Sequence, residues 1–147
     1  MKHLKKLDLG ECSLTGEDVV HIALSMSDTS SLVLLDLSLN ETLGGSGESW
    51  SHLTKMKHLK KLDLSSCSLT GEDVKHIGES VSNMASLEEL ALSSNEALGG
   101  SDSSRPHLIQ MMKHLKKLTL QHCSLTTRDK TEIDEARSHM TNHVEIQ

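Results

Sequence analysis

The sequence is almost without aromatic side chains: Trp50 is the only one among 147 residues, and there is no Phe or Tyr. Large rings usually dominate the core of a compact globular domain, so this interior must be built from aliphatic side chains. Nucleic-acid binding generally needs a basic surface and rings on which bases stack. The chain instead has 21 Asp and Glu residues against 15 Lys and Arg residues, for a net charge of -6. We therefore expect no nucleic-acid partner.

The sequence also lacks the features of membrane insertion, export and nucleotide binding. It has no apolar run of the roughly 20 residues that a membrane-spanning helix needs, and residues 1–6 lack the apolar segment of a signal peptide. The glycine-rich G-x-x-x-x-G-K-[ST] loop that cradles phosphates is missing as well. We expect no membrane contact and no cofactor.

What the sequence does contain is 25 leucines placed at regular intervals. The heptapeptide at 1–7 recurs unchanged at 56–62 and 112–118, and the spacing of Leu32, Leu35 and Leu37 recurs one long period later. The chain therefore divides into repeats of 27 or 28 residues that start at Leu4, Leu32, Leu59, Leu87 and Leu115, with a truncated sixth start at 143–146. Fixed self-similarity of this length is typical of a solenoid.

Each repeat predicts a strand, a turn and a helix. The opening pattern L-x-x-L-x-L alternates as a half-buried strand does, and the ninth position is an inward-pointing Cys or Asn in all five repeats: Cys12, Asn40, Cys67, Asn95 and Cys123. Thr15 and Thr70, each followed three residues later by Asp, are typical helix caps. In the Asn-type repeats a Gly-Gly pair precedes a shorter helical run that ends near Met56 or Met112. The predicted fold is a curved α/β solenoid with parallel strands on its concave face and helices on its convex face.

We expect residues 1–147 to form one domain, with residues 127–147 as a capping half-repeat. Lys130 and Arg137 replace apolar residues of the earlier helices, as a solvated end requires. The first repeat shows no such cap. Either the chain is a fragment of a longer array, or its N-terminal repeat exposes a stacking face through which it self-associates.

The alternating Cys-type and Asn-type repeats resemble the ribonuclease-inhibitor-like class of leucine-rich repeats. Phrases such as residues 62–70, LDLSSCSLT, are similar to the C-terminal sensor regions of NOD-like receptors and to leucine-rich-repeat-only proteins of innate immunity. The resemblance implies a cytoplasmic, non-enzymatic module that recognises a protein partner or a microbial ligand. Two alternatives remain: an inhibitor that wraps around an enzyme, and a self-assembling structural unit.

Neither a metal site nor a catalytic site is predicted. The three cysteines occupy equivalent positions two strands apart, about 10 Å at the usual strand spacing, which exceeds the roughly 7 Å limit for a disulfide. We expect three reduced thiols, in keeping with a cytoplasmic location. The recurring histidines are separated in the same way and do not converge on an ion, and no Ser, His and Asp set converges in a pocket.

The concave sheet is the candidate binding surface, because alternation points the third and fifth residues of each repeat outward. The predicted partner-binding residues are Lys6, Asp8, Leu34, Asp36, Lys61, Asp63, Glu89, Lys117 and Thr119. One interpretation is a solvated face on which Lys6 and Lys61 neutralise the three aspartates. The other is that the aspartate row, with Leu34 beside it, receives a basic or mixed partner.

Trp50 is the remaining candidate. Arg105 occupies the equivalent place one long period later, so position 50 is expected to be at least partly exposed. A partly exposed Trp50 would either contribute to binding, as tryptophans at interfaces often do, or pack on its own repeat.

Overall fold

The computed structural model describes residues 3–27, 31–140 and 143–146. Strands and helices alternate along the chain. The strands are β1 (Lys6–Asp8), β2 (Leu34–Asp36), β3 (Lys61–Asp63), β4 (Glu89–Ala91), β5 (Lys117–Leu120) and β6 (His143–Ile146). The α-helices are α1 (Gly16–Ser25), α2 (Gly71–Val81), α3 (Arg105–His114) and α4 (Thr127–Arg137). A bilayer-spanning helix is absent from these residues, where no helix has the necessary length and apolar content.

The strands form one six-stranded parallel sheet in the order β1 to β6, so each strand lies beside the strands of the repeats before and after it. Equivalent repeat positions face each other throughout, as in the pairing of Leu35 with Leu62 and of Leu90 with Leu118. The leucines at the first, fourth and sixth positions are buried in the four later repeats and partly buried in the first. The predicted parallel solenoid is confirmed, and its core is a stack of aliphatic layers.

Helices α1 and α2 begin directly after the predicted capping residues. Thr15 and Thr70 each accept a hydrogen bond from the backbone N–H of the Asp three residues later, and that Asp accepts one from the backbone of the Thr. Thr126 makes the same arrangement at the start of α4. The two Asn-type repeats differ from each other, because the first has a 3-10 helix over Gly47–Lys55 where the second has α3.

Buried asparagines connect each Asn-type repeat to the one before it. The side-chain oxygen of Asn95 accepts from the backbone N–H groups of Cys67 and Leu69, at 3.1 and 3.0 Å. Its amide nitrogen donates to the carbonyls of Leu64 and Leu92, at 3.0 and 2.8 Å. Asn40 makes the equivalent bonds to the first repeat. These amides satisfy loop backbone groups that would otherwise be buried without partners.

Two of the three cysteines connect a Cys-type repeat to the Asn-type repeat before it. The Sγ atoms of Cys67 and Cys123 donate to the carbonyls of Leu37 and Leu92 in the preceding repeat, both at 3.1 Å. Burial raises the pKa of Cys67 to about 11, so this thiol is protonated at neutral pH. The thiol of Cys12 contacts the carbonyl two residues earlier, as those of Cys67 and Cys123 do. It is exposed because the described chain has no earlier repeat to cover it.

The prediction that Trp50 is partly exposed was also wrong. Trp50 is completely buried, and its indole N–H donates to Asp73 Oδ1 at 3.0 Å. Arg105 occupies the equivalent place and is buried too, because its guanidinium lies 3.4 Å from Asp129 Oδ1 and also contacts Asp102 and Glu132. Trp50 therefore donates a hydrogen bond to the capping-box aspartate of the next repeat, and Arg105 forms an ion pair with the equivalent aspartate.

These capping-box aspartates are held ionised. Burial alone would raise the pKa of Asp73, but hydrogen bonds from Gly45, Thr70, Trp50 and Gly47 outweigh it and lower the pKa below 3.8. The pKa of Asp129 is lowered in the same way, since bonds from Gly100 and Thr126 and the charge of Arg105 outweigh its burial. By accepting hydrogen bonds from backbone N–H groups, the ionised carboxylates of Asp73 and Asp129 link the starts of α2 and α4 to the preceding Gly-Gly loops.

A carboxylate whose pKa is lower in the folded than in the unfolded state stabilises the fold above the unfolded value. We therefore predict that the free energy of unfolding decreases as the pH falls below about 3.8, the ordinary value for Asp73. The variant Asp73→Asn should be less stable at pH 7 by about 2 kcal/mol and should lose less stability on acidification. Urea unfolding at a series of pH values measures both quantities.

The matched control is Asp18→Asn. In the described residues Asp18 contacts only Thr15 of its own capping box and has no preceding Gly-Gly loop. Its substitution should cost less than that of Asp73. Equal losses in the two variants would contradict the link between repeats.

Candidate functional site

The exposed face of the sheet has two rows of side chains, each crossing the strands in register. The third-position row pairs Lys6 with Leu34, Leu34 with Lys61, Lys61 with Glu89, and Glu89 with Lys117. The fifth-position row runs in the same way through Asp8, Asp36, Asp63, Ala91 and Thr119. All nine residues predicted from the sequence therefore lie on one face, which we call the concave face. Strands of three or four residues, fixed by buried leucines beneath, hold their backbones in place.

A groove of about 240 Å³ lies on this face over β2 to β5. Seven of the predicted residues line it: Leu34, Asp36, Lys61, Asp63, Glu89, Lys117 and Thr119. Lys6 and Asp8 lie outside it, on β1. Ala91 also lines the groove and was not among the predicted site residues, although it belongs to the same row.

The lysines of the groove are paired with glutamates on neighbouring strands. Lys61 Nζ lies 3.0 Å from Glu89 Oε2, and Lys117 Nζ lies 3.6 Å from Glu145 Oε1. Lys61 therefore forms its ion pair with Glu89 rather than with an aspartate of the row. A lysine side chain reaches several neighbours on a sheet, and here the directly opposite glutamate is its partner.

The three aspartates stabilise the turns that follow their strands. Oδ1 of Asp8, Asp36 and Asp63 accepts from the backbone N–H two residues further on, at 2.9 Å in each case. This contact occupies one carboxylate oxygen, as in an Asx turn, and fixes the side chain at the rim of the concave face. Within the described ranges none of the three forms an ion pair with Lys or Arg. The row is thus a rigid line of negative charge.

The face offers recognition chemistry rather than a reactive group. Among residues 3–27, 31–140 and 143–146, no three His, Cys, Asp or Glu side chains come together in a way that could hold a metal ion. The buried thiols of Cys67 and Cys123 have raised pKa values, caused chiefly by desolvation, and are not thiolate nucleophiles at neutral pH. Fixed carboxylates, paired lysines and an apolar floor instead suit a partner of complementary shape and charge.

The sequence reasoning missed one exposed side chain beside this face. Leu39, in the turn after β2, is 52% exposed and has a left-handed backbone with φ 61°. The same position is Glu11, Ser66, Ser94 or His122 in the other repeats. Comparing this eighth position across the repeats would have identified it.

Comparison with known proteins agrees with this architecture. A family model for the leucine-rich repeat matches residues 1–23 and 55–78, which include the starts of the first and third repeats. The NLR family CARD domain-containing protein 4 of Bos taurus is 29% identical over 125 residues, covering 82% of this chain. The match spans 12% of that relative's length. From its repeats, its parallel sheet and these matches, the chain is a leucine-rich-repeat solenoid that resembles the leucine-rich-repeat region of NOD-like receptors.

Proposed function

We propose that the chain is the ligand-recognition region of a cytoplasmic NOD-like-receptor-type protein of innate immunity and has no enzymatic activity. Its partner is a protein that binds the concave face through the nine residues predicted from the sequence. The observation that carries this proposal is the groove over β2 to β5, lined by fixed charges on short rigid strands. A surface that is already ordered loses little conformational entropy on binding.

The domain boundaries form part of the same proposal. Residues 1–147 act as one unit, and residues 127–147 close its C-terminal end. Strand β6 completes the sheet beside β5. Lys130 and Arg137 of α4 are only partly buried, whereas the apolar side chains at the equivalent positions of the earlier Cys-type repeats are buried.

Two alternatives to this proposal are an inhibitor that wraps around an enzyme and a receptor for a microbial small molecule. They require different surface chemistry. An inhibitor that wraps an enzyme generally needs large anchoring side chains, but the only aromatic side chain, Trp50, is buried between repeats. A microbial small molecule would need an enclosed pocket that buries most of its surface, whereas this groove lies along an open sheet. A protein partner therefore fits this face better.

The test compares charge reversal on the two sides of the solenoid. The wild-type chain is used to capture partners from cell extract, and the affinity of each purified partner is then measured by calorimetry. Asp36→Lys, on the concave face, should weaken binding at least tenfold. Glu79→Lys makes the same change of charge on the exposed side of α2 and should leave binding unchanged. Loss of binding only in Glu79→Lys, or capture of no partner, would contradict the proposal.

A second candidate function, self-association, is favoured by the surface of the first repeat. Leu4, Leu7, Leu9 and Leu14 are only partly buried, whereas their equivalents in the third repeat are fully buried. Leu24 on α1 is 52% exposed. Uncovered repeat faces of this kind tend to stack, and we propose that two copies of the chain pack through their first repeats.

Light scattering over a range of protein concentrations tests this association. The wild-type chain should show a mass that rises with concentration towards twice the monomer mass. Leu24→Glu should keep the protein monomeric, because it places a charge in the apolar contact. Glu79→Lys serves again as the control and should associate like the wild type. A monomeric wild-type chain at all concentrations would refute self-association.

A further inference from the structure

The first and third repeats are nearly identical in sequence but differ in their surroundings. Residues 3–23 and 58–78 differ at only four of 21 positions. The sheet order places the second repeat, which is of the Asn type, against the third. Among the described residues no repeat lies against the first in the same way. We call the surface concerned the N-terminal face, formed in the first repeat by Leu4, Leu7, Leu9, Cys12, Leu14 and Asp18.

In the third repeat this face is covered completely by the second repeat. The equivalents of all six residues are buried there. The thiol of Cys67 donates to the carbonyl of Leu37 at 3.1 Å. Asp73 accepts from the backbone N–H of Gly45 at 2.7 Å and from the indole N–H of Trp50 at 3.0 Å. The second repeat thus supplies both an apolar cover and hydrogen-bond donors.

In the first repeat the same groups lack those contacts. Cys12 is exposed, and within the described residues its thiol contacts only the carbonyl of Gly10 in its own turn. Asp18 is partly buried and, in the same part of the chain, bonds only to Thr15 of its capping box. The four leucines of the face are also only partly buried. A carboxylate, a thiol and an apolar surface are therefore uncovered together at one end of the solenoid.

The backbone of the uncovered face already has the conformation of the covered one. Glu11 and Ser13 have left-handed φ angles of 55° and 53°, the same values as Ser66 and Ser68. The side chain of Asn40, from the following repeat, fixes this turn by accepting from two of its backbone N–H groups. The face is therefore ordered before anything covers it, which lowers the entropic cost of docking.

The polar groups of this face select an Asn-type repeat over a second copy of the chain. An Asn-type repeat brings a Gly-Gly loop and a buried Trp or Arg, the groups that contact Asp73 and Asp129. Two first repeats packed together would cover their leucines, but a twofold contact presents the same groups on both sides. Asp18 would then gain no such donor. The Asn-type repeats of a second copy are already covered by its third and fifth repeats.

We infer that the N-terminal face of the first repeat docks an Asn-type leucine-rich repeat of the same kind as the second repeat. The strand of the docked repeat would pair with β1, its Gly-Gly loop would donate to Asp18, and Cys12 would donate to one of its carbonyls. The solenoid would continue by one repeat beyond β1. This inference is independent of the concave face, and the self-association proposed above is a contact of the uncovered face, which the docked repeat would replace.

The test joins such a repeat to the full chain. A copy of residues 31–55 is placed before Met1, so that Lys55 of the copy precedes Met1 as Lys55 precedes Met56. The added segment contains no cysteine, and Cys12 is the one exposed thiol of the three. The rate at which a chromogenic disulfide reagent modifies Cys12 should fall at least tenfold, because a covered thiol reacts only when the structure opens. An unchanged rate would overturn the inference.

A Cys-type segment of equal length is the matched control. A copy of residues 59–83, with Cys67→Ser, is placed before Met1, which then occupies the place of Met84. This segment has no Gly-Gly loop. Cys12 should react at least fivefold faster in this protein than in the protein with the Asn-type segment. Equal protection by both segments would show that the face does not distinguish repeat types, contrary to the inference.

The variant Asp18→Asn tests the polar part of the contact. It should raise the rate of Cys12 modification at least fivefold in the protein with the Asn-type segment and leave it unchanged in the chain without a segment. Equal rates with and without Asp18→Asn in the extended protein would contradict the role of this carboxylate. If self-association of the unextended chain protects Cys12 as well as the Asn-type segment does, a second copy fills the face and the inference is wrong.

Discussion

The buried side chain at the ninth position of the second to fifth repeats makes the contact on which the rest of the structure depends. Most of the strands contain only three residues, which is too short for the sheet hydrogen bonds alone to order the loops that follow. Asn95 supplies the additional hydrogen bonds. Its side-chain amide bonds backbone groups of its own repeat and of the preceding repeat. Cys67 reaches back in the same direction through its thiol. The second to fifth repeats each bond the preceding repeat in this way, so neighbouring repeats stabilise one another.

A second set of links forms on the helical side, where the capping aspartates bind the preceding Gly-Gly loop. Gly44 shows how closely that loop is packed, because a methyl group there would overlap the carbonyl oxygen of Ser68. Gly99 has the same relation to Ser124. With one set of links at the strand ends and another at the helix starts, the second to fifth repeats are fixed at both sides. The concave face is therefore rigid before any partner binds.

Much of the fold was predictable from the sequence because equivalent positions can be compared between the repeats. Five copies of one leucine pattern fixed the strand positions, the parallel register and the side of the sheet that each residue faces. The errors occurred where a repeat departs from its copies. Trp50 and Arg105 differ so much in polarity that an exposed position was the expected common environment. Both are buried instead, where Trp50 donates a hydrogen bond to an aspartate and Arg105 forms an ion pair with one. That aspartate comes from the next repeat, a contact that appears only when the repeats are stacked.

The candidate site was predictable in position but not in its interactions. Register alone placed the nine residues on one face, but it did not determine which of several nearby carboxylates Lys61 would bind. The exposure of Leu39 depends on a turn with a left-handed backbone, which strand alternation does not describe. The sequence thus identified the surface, whereas the structure was needed to distinguish its paired charges from its unpaired ones.

Replacement of the amide of Asn95 tests the dependence between repeats most directly. Asn95→Ala leaves the backbone N–H groups of Cys67 and Leu69 buried without an acceptor, and each unpaired group costs about 1–3 kcal/mol. Urea unfolding should therefore show a loss of about 3 kcal/mol or more. Asn83→Ala removes an exposed amide that contacts only the carbonyl of Glu79 and should cost less than about 0.5 kcal/mol. Equal and small losses in the two variants would contradict the central role of the ninth position.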